Sequence, residues 1–272
     1  MGKLKGDLPP EPTMKLMTFN ILFGGEDRFD AILAIVAAER PDVLVLEECV
    51  GWEDGARLRA VAEAIGAPAG PQHAVLGHAN LRPSGRRNHV GVVSRVPLAR
   101  AHVHAPEALA HCLVEVELSL AGEPLVVLGT HLNAGSEDRR LTEARWLLSL
   151  VPPARFASGL WALVGDLNGL SRRDPYPADL DARLAAAGIT KYGSPTRYDT
   201  MDALEAFGWT DALRVRPRSS RWATALRGHG VKVETRTDYV LLSPRLRERL
   251  ALAYVIDVGA ASDHNAVVAE LA

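Results

Sequence analysis

Acids, amides and imidazoles occur where several apolar segments of this chain begin or end. They are Asn20 after KLMTF, Glu48 after DVLVLE, His131 after LVVLGT, Asp166 and Asn168 in WALVGDLN, Asp238 before YVLL, and Asp263 and His264 before NAVVAEL. An ionised carboxylate that is buried without a partner costs several kcal/mol or takes up a proton. So many acids beside buried segments therefore predict a bound cation or a hydrogen-bond network.

Each of these residues alone has an ordinary structural explanation. Asn20 could form a turn at a strand end, and His131 could be a satisfied core histidine. Asp238 could pair with Arg236, and the stretch SDHNAVVAEL could be a surface turn that enters an edge strand. The hypothesis of an active site therefore rests on the joint pattern of these residues.

The bulk composition is typical of a globular protein. The chain has 272 residues, 47% of them hydrophobic, and 31 basic against 33 acidic residues give a net charge of -2. This balance provides no overall attraction to nucleic acid or to an anionic membrane, so any affinity for a polyanion must be local. No apolar run reaches the roughly 18 residues of a membrane span, and we expect a monomer.

The two cysteines, Cys49 and Cys112, both lie in apolar stretches. Buried free thiols are the expected state of such residues, and they favour a reducing cytoplasm. The proline-rich residues 1–13 are predicted to form a flexible tail, followed by a single catalytic domain over residues 14–272.

Hydrophobic periodicity predicts the elements that must position the polar residues. We expect strands over 15–21, 42–48, 89–94, 111–120, 124–132, 161–167, 234–243, 252–258 and 264–271. We expect helices after residue 26, before Gly66, over 137–150, and around 178–187 and 200–207, with a loop over 151–159. Short turns in the middle indicate antiparallel hairpins among otherwise alternating strands and helices. Two packed mixed sheets with outer helices accommodate this pattern best.

Seven blocks of the sequence resemble the endonuclease/exonuclease/phosphatase superfamily, and they occur in the order typical of that family. They are MTFNI, PDVLVLEE, GVVSRVPL, GTHL, GDLN, RTDYVLLS and SDHNAVVAEL. The resemblance spans almost the whole chain. It implies an α/β fold, a four-layer α/β/β/α sandwich like that of deoxyribonuclease I, in which the strand-end residues meet in one cleft.

The resemblance also implies roles for these residues. Glu48 would bind a metal directly, assisted by Asn20 and Asp263. Asp166 would orient and deprotonate the attacking water, Asn168 and His131 would contact phosphoryl oxygens, and His264, oriented by Asp238, would face the scissile phosphate. Carboxylate and amide oxygens suit a hard cation, so Mg²⁺ is the expected cofactor and Mn²⁺ the alternative.

The sequence departs from the family pattern in four places, the last of which covers two residues. Leu22 replaces a polar residue that many nucleases of the family carry, and Glu47 stands where Gln is usual. Thr237 replaces an apolar residue, and Asn265 with Ala266 stands where an aromatic residue and Pro are frequent.

Basic loops near the predicted cleft could contact the substrate, and they could equally be solvated surface. The candidates for substrate binding are Arg86, Arg87, Arg172, Arg173 and Trp222. A duplex-binding protein normally presents a broad basic face, which the net charge does not favour. The expected substrate is therefore a small phosphorylated molecule or phosphodiester, with a nuclease acting on DNA or RNA as the alternative. An inactive binding module of the same fold is the third hypothesis.

Overall fold

A computed structural model describes residues 14–82, 84–225 and 233–272 of the chain. The tail predicted over residues 1–13 lies outside the described residues. The described part contains twelve strands in two sheets, and both sheets include parallel and antiparallel neighbours.

The first sheet has six strands. They are β1 (Met14–Asn20), β2 (Val43–Glu47), β3 (Ala74–Gly77), β4 (Val90–Ser94), β11 (Leu250–Ile256) and β12 (Ala266–Leu271). Their spatial order is β11-β12-β1-β2-β4-β3. Strands β1 and β2 are parallel, and the other neighbours are antiparallel. The last strand therefore lies beside the first, which brings the two ends of the described chain together.

The second sheet also has six strands. They are β5 (Arg100–His104), β6 (Leu113–Leu120), β7 (Glu123–His131), β8 (Leu160–Asp166), β9 (Thr210–Asp211) and β10 (Asp238–Leu242). Their order is β5-β6-β7-β8-β10-β9. Only β7 and β8 are parallel neighbours here, so the two sheets have the same mixed design.

The described residues also form eight helices. They are α1 (Phe29–Glu39), α2 (Ala56–Ile65), α3 (Glu137–Leu150), α4 (Pro153–Ser158), α5 (Leu180–Ala186), α6 (Asp199–Phe207), α7 (Ala212–Val215) and α8 (Pro244–Arg247). Single 3₁₀ turns occupy Phe23–Arg28 and Gly259–Ala261. Helix α2 ends where the sequence predicts, because Gly66 adopts a left-handed conformation with φ 76 and its N–H donates to the last turn.

Three apolar layers hold the sandwich together. Val45 and Val92 of the first sheet pack against Val127 and Val164 of the second between the sheets. A second cluster joins the first sheet to α1 and α2, and a third joins the second sheet to α3, α4 and α6. Because central strands are buried on both faces, they read as nearly continuous apolar runs. The predicted four-layer α/β/β/α sandwich is confirmed.

The structure corrects several predicted bounds. The prediction missed β3 and β5, and β5 is a partly exposed edge strand with few apolar residues. The strand predicted over 234–243 is confined to Asp238–Leu242. The loop predicted over 151–159 contains α4, which begins with Pro153 at its first position, where proline's fixed φ suits a helix start.

Candidate active site

The catalytic candidates lie at one edge of both sheets. In the second sheet, Asp166 at the end of β8 pairs in register with His131 of β7 and with Asp238 of β10. In the first sheet, Asn20 ends β1 beside Glu47 of β2. The packing of the two sheets brings these edges together. The Asn20 Nδ2 donates to Asp166 Oδ2 at 3.0 Å across the junction.

Tight backbone turns position the residues that follow the strands. Gly165 has φ +149, and a Cβ there would lie 1.9 Å from the Thr130 carbonyl oxygen, so the GDLN block needs a glycine. Asn168 and Glu48 adopt left-handed conformations with φ 51 and φ 61. Non-glycine residues in this region carry about 1–3 kcal/mol of strain and concentrate at functional sites.

Asp166 is the hub of the hydrogen-bond network. Besides the bond from Asn20, its Oδ1 accepts from the Asn168 backbone N–H at 2.9 Å. Its Oδ2 lies 3.5 Å from His131 Nε2 and 3.8 Å from His264 Nδ1. A buried carboxylate with two donors and two neighbouring imidazoles is held in one orientation, as a group that accepts a proton from a bound water must be.

His264 and Asp238 form a buried pair. The His264 Nδ1 lies 2.8 Å from Asp238 Oδ2, which also accepts from Thr237 Oγ1 at 3.1 Å. Burial alone would lower the pKa of His264, but the charges of Asp238 and Asp166 outweigh it and hold that pKa well above the usual range. His264 is therefore a cation at neutral pH, and Asp238 fixes its ring.

His131 has the opposite character. Burial and the nearby charge of His264 hold the pKa of His131 well below its usual range. Its ring stacks on His111 at a centroid distance of 4.3 Å, and burial likewise lowers the pKa of His111. The two stacked rings are therefore neutral, and His131 can contact an oxygen without adding charge.

The site contains carboxylates that suit a metal. Burial raises the pKa of Glu48, and repulsion from the negative charges of Asp166 and Asp263 raises it further. A bound cation would offset this repulsion. The buried Asp263 Oδ1 has no hydrogen-bond partner among the described residues. Asp166, Asp238 and His264 also lie close enough to hold a metal. However, the His264 ring is protonated and bonded to Asp238, and an imidazolium is not a ligand. Glu48 and Asp263 therefore remain the predicted metal ligands, and the charge of Asp263 reaches Glu48.

Loop contacts hold the two walls of the cleft together. Arg28 donates to the Ile21 and Ala261 carbonyl oxygens at 3.2 and 2.7 Å. Ser262 Oγ donates to the Asn20 carbonyl at 2.6 Å and accepts from the His264 N–H at 3.1 Å. The loop before β12 is thus fixed to the end of β1.

The residues predicted to bind substrate are mostly engaged elsewhere. Arg172 pairs with Asp202, and Arg173 Nε lies 2.9 Å from Glu205 Oε2, both partners on α6. Arg87 donates to the Ala79 carbonyl. Arg86 lies over the Phe23 ring at 4.5 Å. Trp222 packs against the core between the sheets and meets the Tyr176 ring edge-on at 5.2 Å, so its faces are not open for stacking.

Lys191 was missed by the sequence reasoning. Its Nζ donates to Asn168 Oδ1 at 3.0 Å, and it lines a pocket of about 360 Å³ with Thr190, Tyr192, Asp263 and His264. The segment between α5 and α6 that carries it has no strand pattern. The only available signal was the rarity of lysine, since five of the 31 basic residues are lysines.

A larger groove of about 1130 Å³ begins beside His131. Asn80 and Arg82 line one side, and Asn133 and Arg139 line the other. Arg82 is close enough to contribute to the lowered pKa of His131. The electrostatic effect of Arg82 on His131 therefore links this groove to the cleft.

Comparisons with known proteins agree with this geometry. The model of the endonuclease/exonuclease/phosphatase family matches residues 17–264. The chain therefore belongs to this family, whose members are hydrolases of phosphoester bonds that use divalent metals. No curated protein sequence matches the chain.

Solved structures share the fold at low identity. An AP endonuclease from Archaeoglobus fulgidus is 20% identical with a TM-score of 0.70, over 95% of this chain and 99% of that one. A 3′ phosphatase from Neisseria, bound to a product DNA hairpin, is 22% identical with a TM-score of 0.70, over 96% and 100%. A family protein from Beutenbergia cavernae is 22% identical with a TM-score of 0.70, over 95% and 71%.

Within the described residues, none of the helices combines the length and the apolar character that crossing a membrane requires.

Proposed function

We propose that this protein is a divalent-metal-dependent phosphoesterase that hydrolyses a small phosphorylated molecule or phosphodiester by direct attack of water at phosphorus. The observation that carries the proposal is the network around Asp166, which joins an amide, a neutral imidazole and an imidazolium within one buried cleft. Phosphoryl transfer requires such a set of donors around an in-line nucleophile.

Each residue has a part in the proposed reaction. Asp166 accepts the proton of the attacking water while the new oxygen–phosphorus bond forms and the ester bond breaks. His264, held protonated by Asp238, contacts the phosphoryl group and stabilises the charge that develops on it. One N–H of the Asn168 side-chain amide donates to the Leu132 carbonyl at 3.1 Å. The other N–H of that amide, together with His131, contacts further phosphoryl oxygens.

Glu48 and Asp263 are proposed to hold the metal, with Asn20 beside them. Mg²⁺ is the proposed ion because the candidate ligands are oxygens, and Mn²⁺ is the alternative. When bound, such an ion supplies positive charge that polarises the phosphoryl oxygens. Asn20 already uses its Oδ1 to accept from the Leu22 N–H at 3.0 Å, so its proposed role is to orient Asp166 as much as to assist the metal.

The small substrate is supported by the state of the basic loops. Arg172 and Arg173 are neutralised by α6 carboxylates, and Arg87 is bonded to the backbone. A duplex-binding face needs many cations free to contact phosphates. The pocket of about 360 Å³ beside His264 has the size of a small-molecule site. We further propose that the protein acts as a monomer in the cytoplasm.

A nuclease is the second candidate function, and the larger groove is the observation that favours it. Arg82 and Arg139 line this groove, and neither side chain forms an ion pair within the part of the chain that the structure describes. A single strand that lies in the groove would place one phosphate near His131. This candidate predicts turnover of DNA or RNA that falls steeply with salt.

The test is a screen of purified protein with Mg²⁺ or Mn²⁺ against an activated phosphodiester, an activated phosphomonoester and single-stranded and duplex DNA. We expect turnover of a small ester, and we expect Asp166→Asn to reduce kcat by about 10³-fold or more, a typical scale for loss of a general base. Asp202→Asn, which changes an exposed aspartate outside the cleft, is the matched control. The proposal fails if no phosphoester is hydrolysed, or if Asp166→Asn retains the parent's kcat.

A further inference from the structure

Lys191 places an ammonium group beside Asn168, on the wall of the smaller pocket. An ammonium group has three protons to donate, and one of them goes to Asn168 Oδ1 at 3.0 Å. The Tyr192 ring lies beside it with Nζ 5.1 Å from the ring centroid. No carboxylate forms an ion pair with this ammonium anywhere in residues 14–82, 84–225 or 233–272. Asp166 and Tyr192 stabilise this charge without forming an ion pair with it, so the ammonium can still bind an anion that enters the pocket.

A buried arginine holds the backbone of Lys191 in place. Arg140 is fully buried, and it donates to the Lys191 carbonyl at 2.5 Å and to the Asn133 carbonyl at 3.0 Å. Its Nε bonds Glu137 Oε2 at 2.9 Å, and Glu137 in turn accepts from the Thr200 N–H at 2.7 Å. The Lys191 loop is therefore fixed to α3, to α6 and to the strand end that carries His131.

The ammonium also determines the orientation of Asn168. Lys191 can only donate, so it requires the amide oxygen, while the Leu132 carbonyl can only accept, so it requires the amide nitrogen. Tyr192 also hydrogen-bonds the Lys191 side chain, so the remaining N–H of Asn168 and one proton of Lys191 are available to the cleft. Burial alone would lower the pKa of Lys191, but Tyr192 and Asp166 outweigh it and raise that pKa, so the group is charged at neutral pH.

We propose that Lys191 is a catalytic residue whose ammonium group binds a non-bridging oxygen of the scissile phosphate. This inference rests on the proposed phosphoesterase function and adds a residue to it. The geometry places the cation on the pocket wall shared by His264 and Asp263, opposite the carbonyl-bound side of Asn168. A compact, strongly hydrated ammonium acts there as a point charge.

The test replaces the ammonium and then restores it chemically. Lys191→Cys removes the charge, and alkylation of the new thiol with 2-bromoethylamine rebuilds a side chain of nearly the same length that ends in an ammonium. The two native cysteines do not compete, because both are fully buried. Burial raises the pKa of Cys49 well above its usual range and that of Cys112 to about 12, and only thiolates alkylate.

With the activated diester that the parent hydrolyses, we expect Lys191→Cys to lower kcat by about 100- to 1000-fold, as removal of one transition-state donor does. KM should change much less. Aminoethylation should restore kcat to within about threefold of the parent, whereas iodoacetamide, which adds a neutral group of similar size, should not. Modified and unmodified protein share one fold, so a folding defect cannot imitate this difference.

Lys15→Cys carried through the same two reactions is the matched control. Lys15, on β1 and outside the cleft, pairs with Glu39 at 2.7 Å. The activity of the Lys15→Cys variant should be unchanged before and after both reactions. The proposal is overturned if Lys191→Cys keeps kcat within threefold of the parent. It is equally overturned if aminoethylation, verified by mass spectrometry at position 191, restores no more activity than iodoacetamide. An inactive parent would instead refute the phosphoesterase function itself, and this inference with it.

Discussion

Replacing Asp238 with asparagine should show how much the cleft depends on one buried charge. Asp238 is fully buried and contacts His264 Nδ1 at 2.8 Å. Asparagine preserves the shape of the side chain but removes its charge. Thr237 Oγ1 and the Asp238 backbone contacts remain, so the ring of His264 loses its counterion while the fold keeps its shape.

The magnitude follows from the geometry. Two unit charges at the observed 2.8 Å attract by about 6 kcal/mol at an effective dielectric constant of about 20. Asp166 Oδ2 lies 3.8 Å from the same nitrogen and retains part of the stabilisation. We therefore expect a net loss of about 3–4 kcal/mol in the transition state. At about 1.4 kcal/mol for each tenfold change, kcat should fall by about 10²–10³-fold.

The assay is steady-state hydrolysis of the activated ester by Asp238→Asn and by its parent, at saturating metal. KM should change by less than about threefold, because Asp238 acts through His264 and does not touch the substrate. Asp202→Asn is the control, since it breaks only an exposed ion pair with Arg172, and exposed pairs contribute little to stability. The reasoning is refuted if a folded Asp238→Asn variant keeps kcat within threefold of the parent.

Three further predictions concern the metal, the pH dependence of stability and the larger groove. Chelation with EDTA should abolish turnover, and added Mg²⁺ should restore it. Glu48→Gln should raise the Mg²⁺ concentration needed for half-maximal activity about tenfold or more. An unchanged Mg²⁺ requirement would show that Glu48 is not a metal ligand. Burial raises the pKa of Glu143 from its ordinary 4.5 to about 7, so the folded protein favours the protonated carboxyl. The stability that this group contributes is therefore complete below pH 4.5 and is lost as the pH rises through about 7. Urea titrations should show a decrease of up to about 3 kcal/mol over that interval, and Glu143→Gln should lack it; a parallel decrease in both proteins would contradict the cause. Arg82→Ala should leave turnover of a small diester within threefold while it reduces any turnover of single-stranded DNA, and a large loss on the small diester would place Arg82 in the catalytic cleft instead.

Much of the fold could be predicted from the sequence because the central strands are buried on both faces. Strands such as β2 and β8 are therefore continuous apolar runs, and the hydrophobic pattern alone finds them. The edge strand β5 was missed because its partly exposed residues carry no such run, and β3 was missed because its apolar run is only four residues long. Helix α4 was missed because a six-residue helix that starts at a proline resembles a loop.

The strand-end residues could be predicted, but the contacts among them could not. That Asp166 is a neighbour of both His131 and Asp238 depends on the register of two strand pairs. Lys191 lies 23 residues after Asn168 and reaches it only because Arg140 holds the intervening loop. Likewise, the ion pairs that occupy Arg172 and Arg173 depend on where α6 packs. Local sequence patterns contain none of this information.

The departures from the family pattern are supported by buried hydrogen bonds. Burial, together with the charge of Asp238, raises the pKa of Glu47 well above its usual range and so favours the protonated form, which resembles a glutamine. Its Oε1 accepts from Thr18 Oγ1 at 2.7 Å. Thr237, which replaces an apolar residue, donates to Asp238 Oδ2 and so strengthens the carboxylate that holds His264.

Asn265, another departure from the family pattern, also forms buried hydrogen bonds. It is fully buried, its Nδ2 donates to the Ala223 carbonyl at 3.3 Å and its Oδ1 accepts from the Val258 N–H at 3.2 Å. Its own N–H donates to the Thr224 carbonyl at 2.7 Å, and Thr224 Oγ1 accepts from the Asp238 N–H. Asn265 therefore connects the loop before β12 to the start of β10. Its position next to His264 serves the alignment of His264 with Asp238.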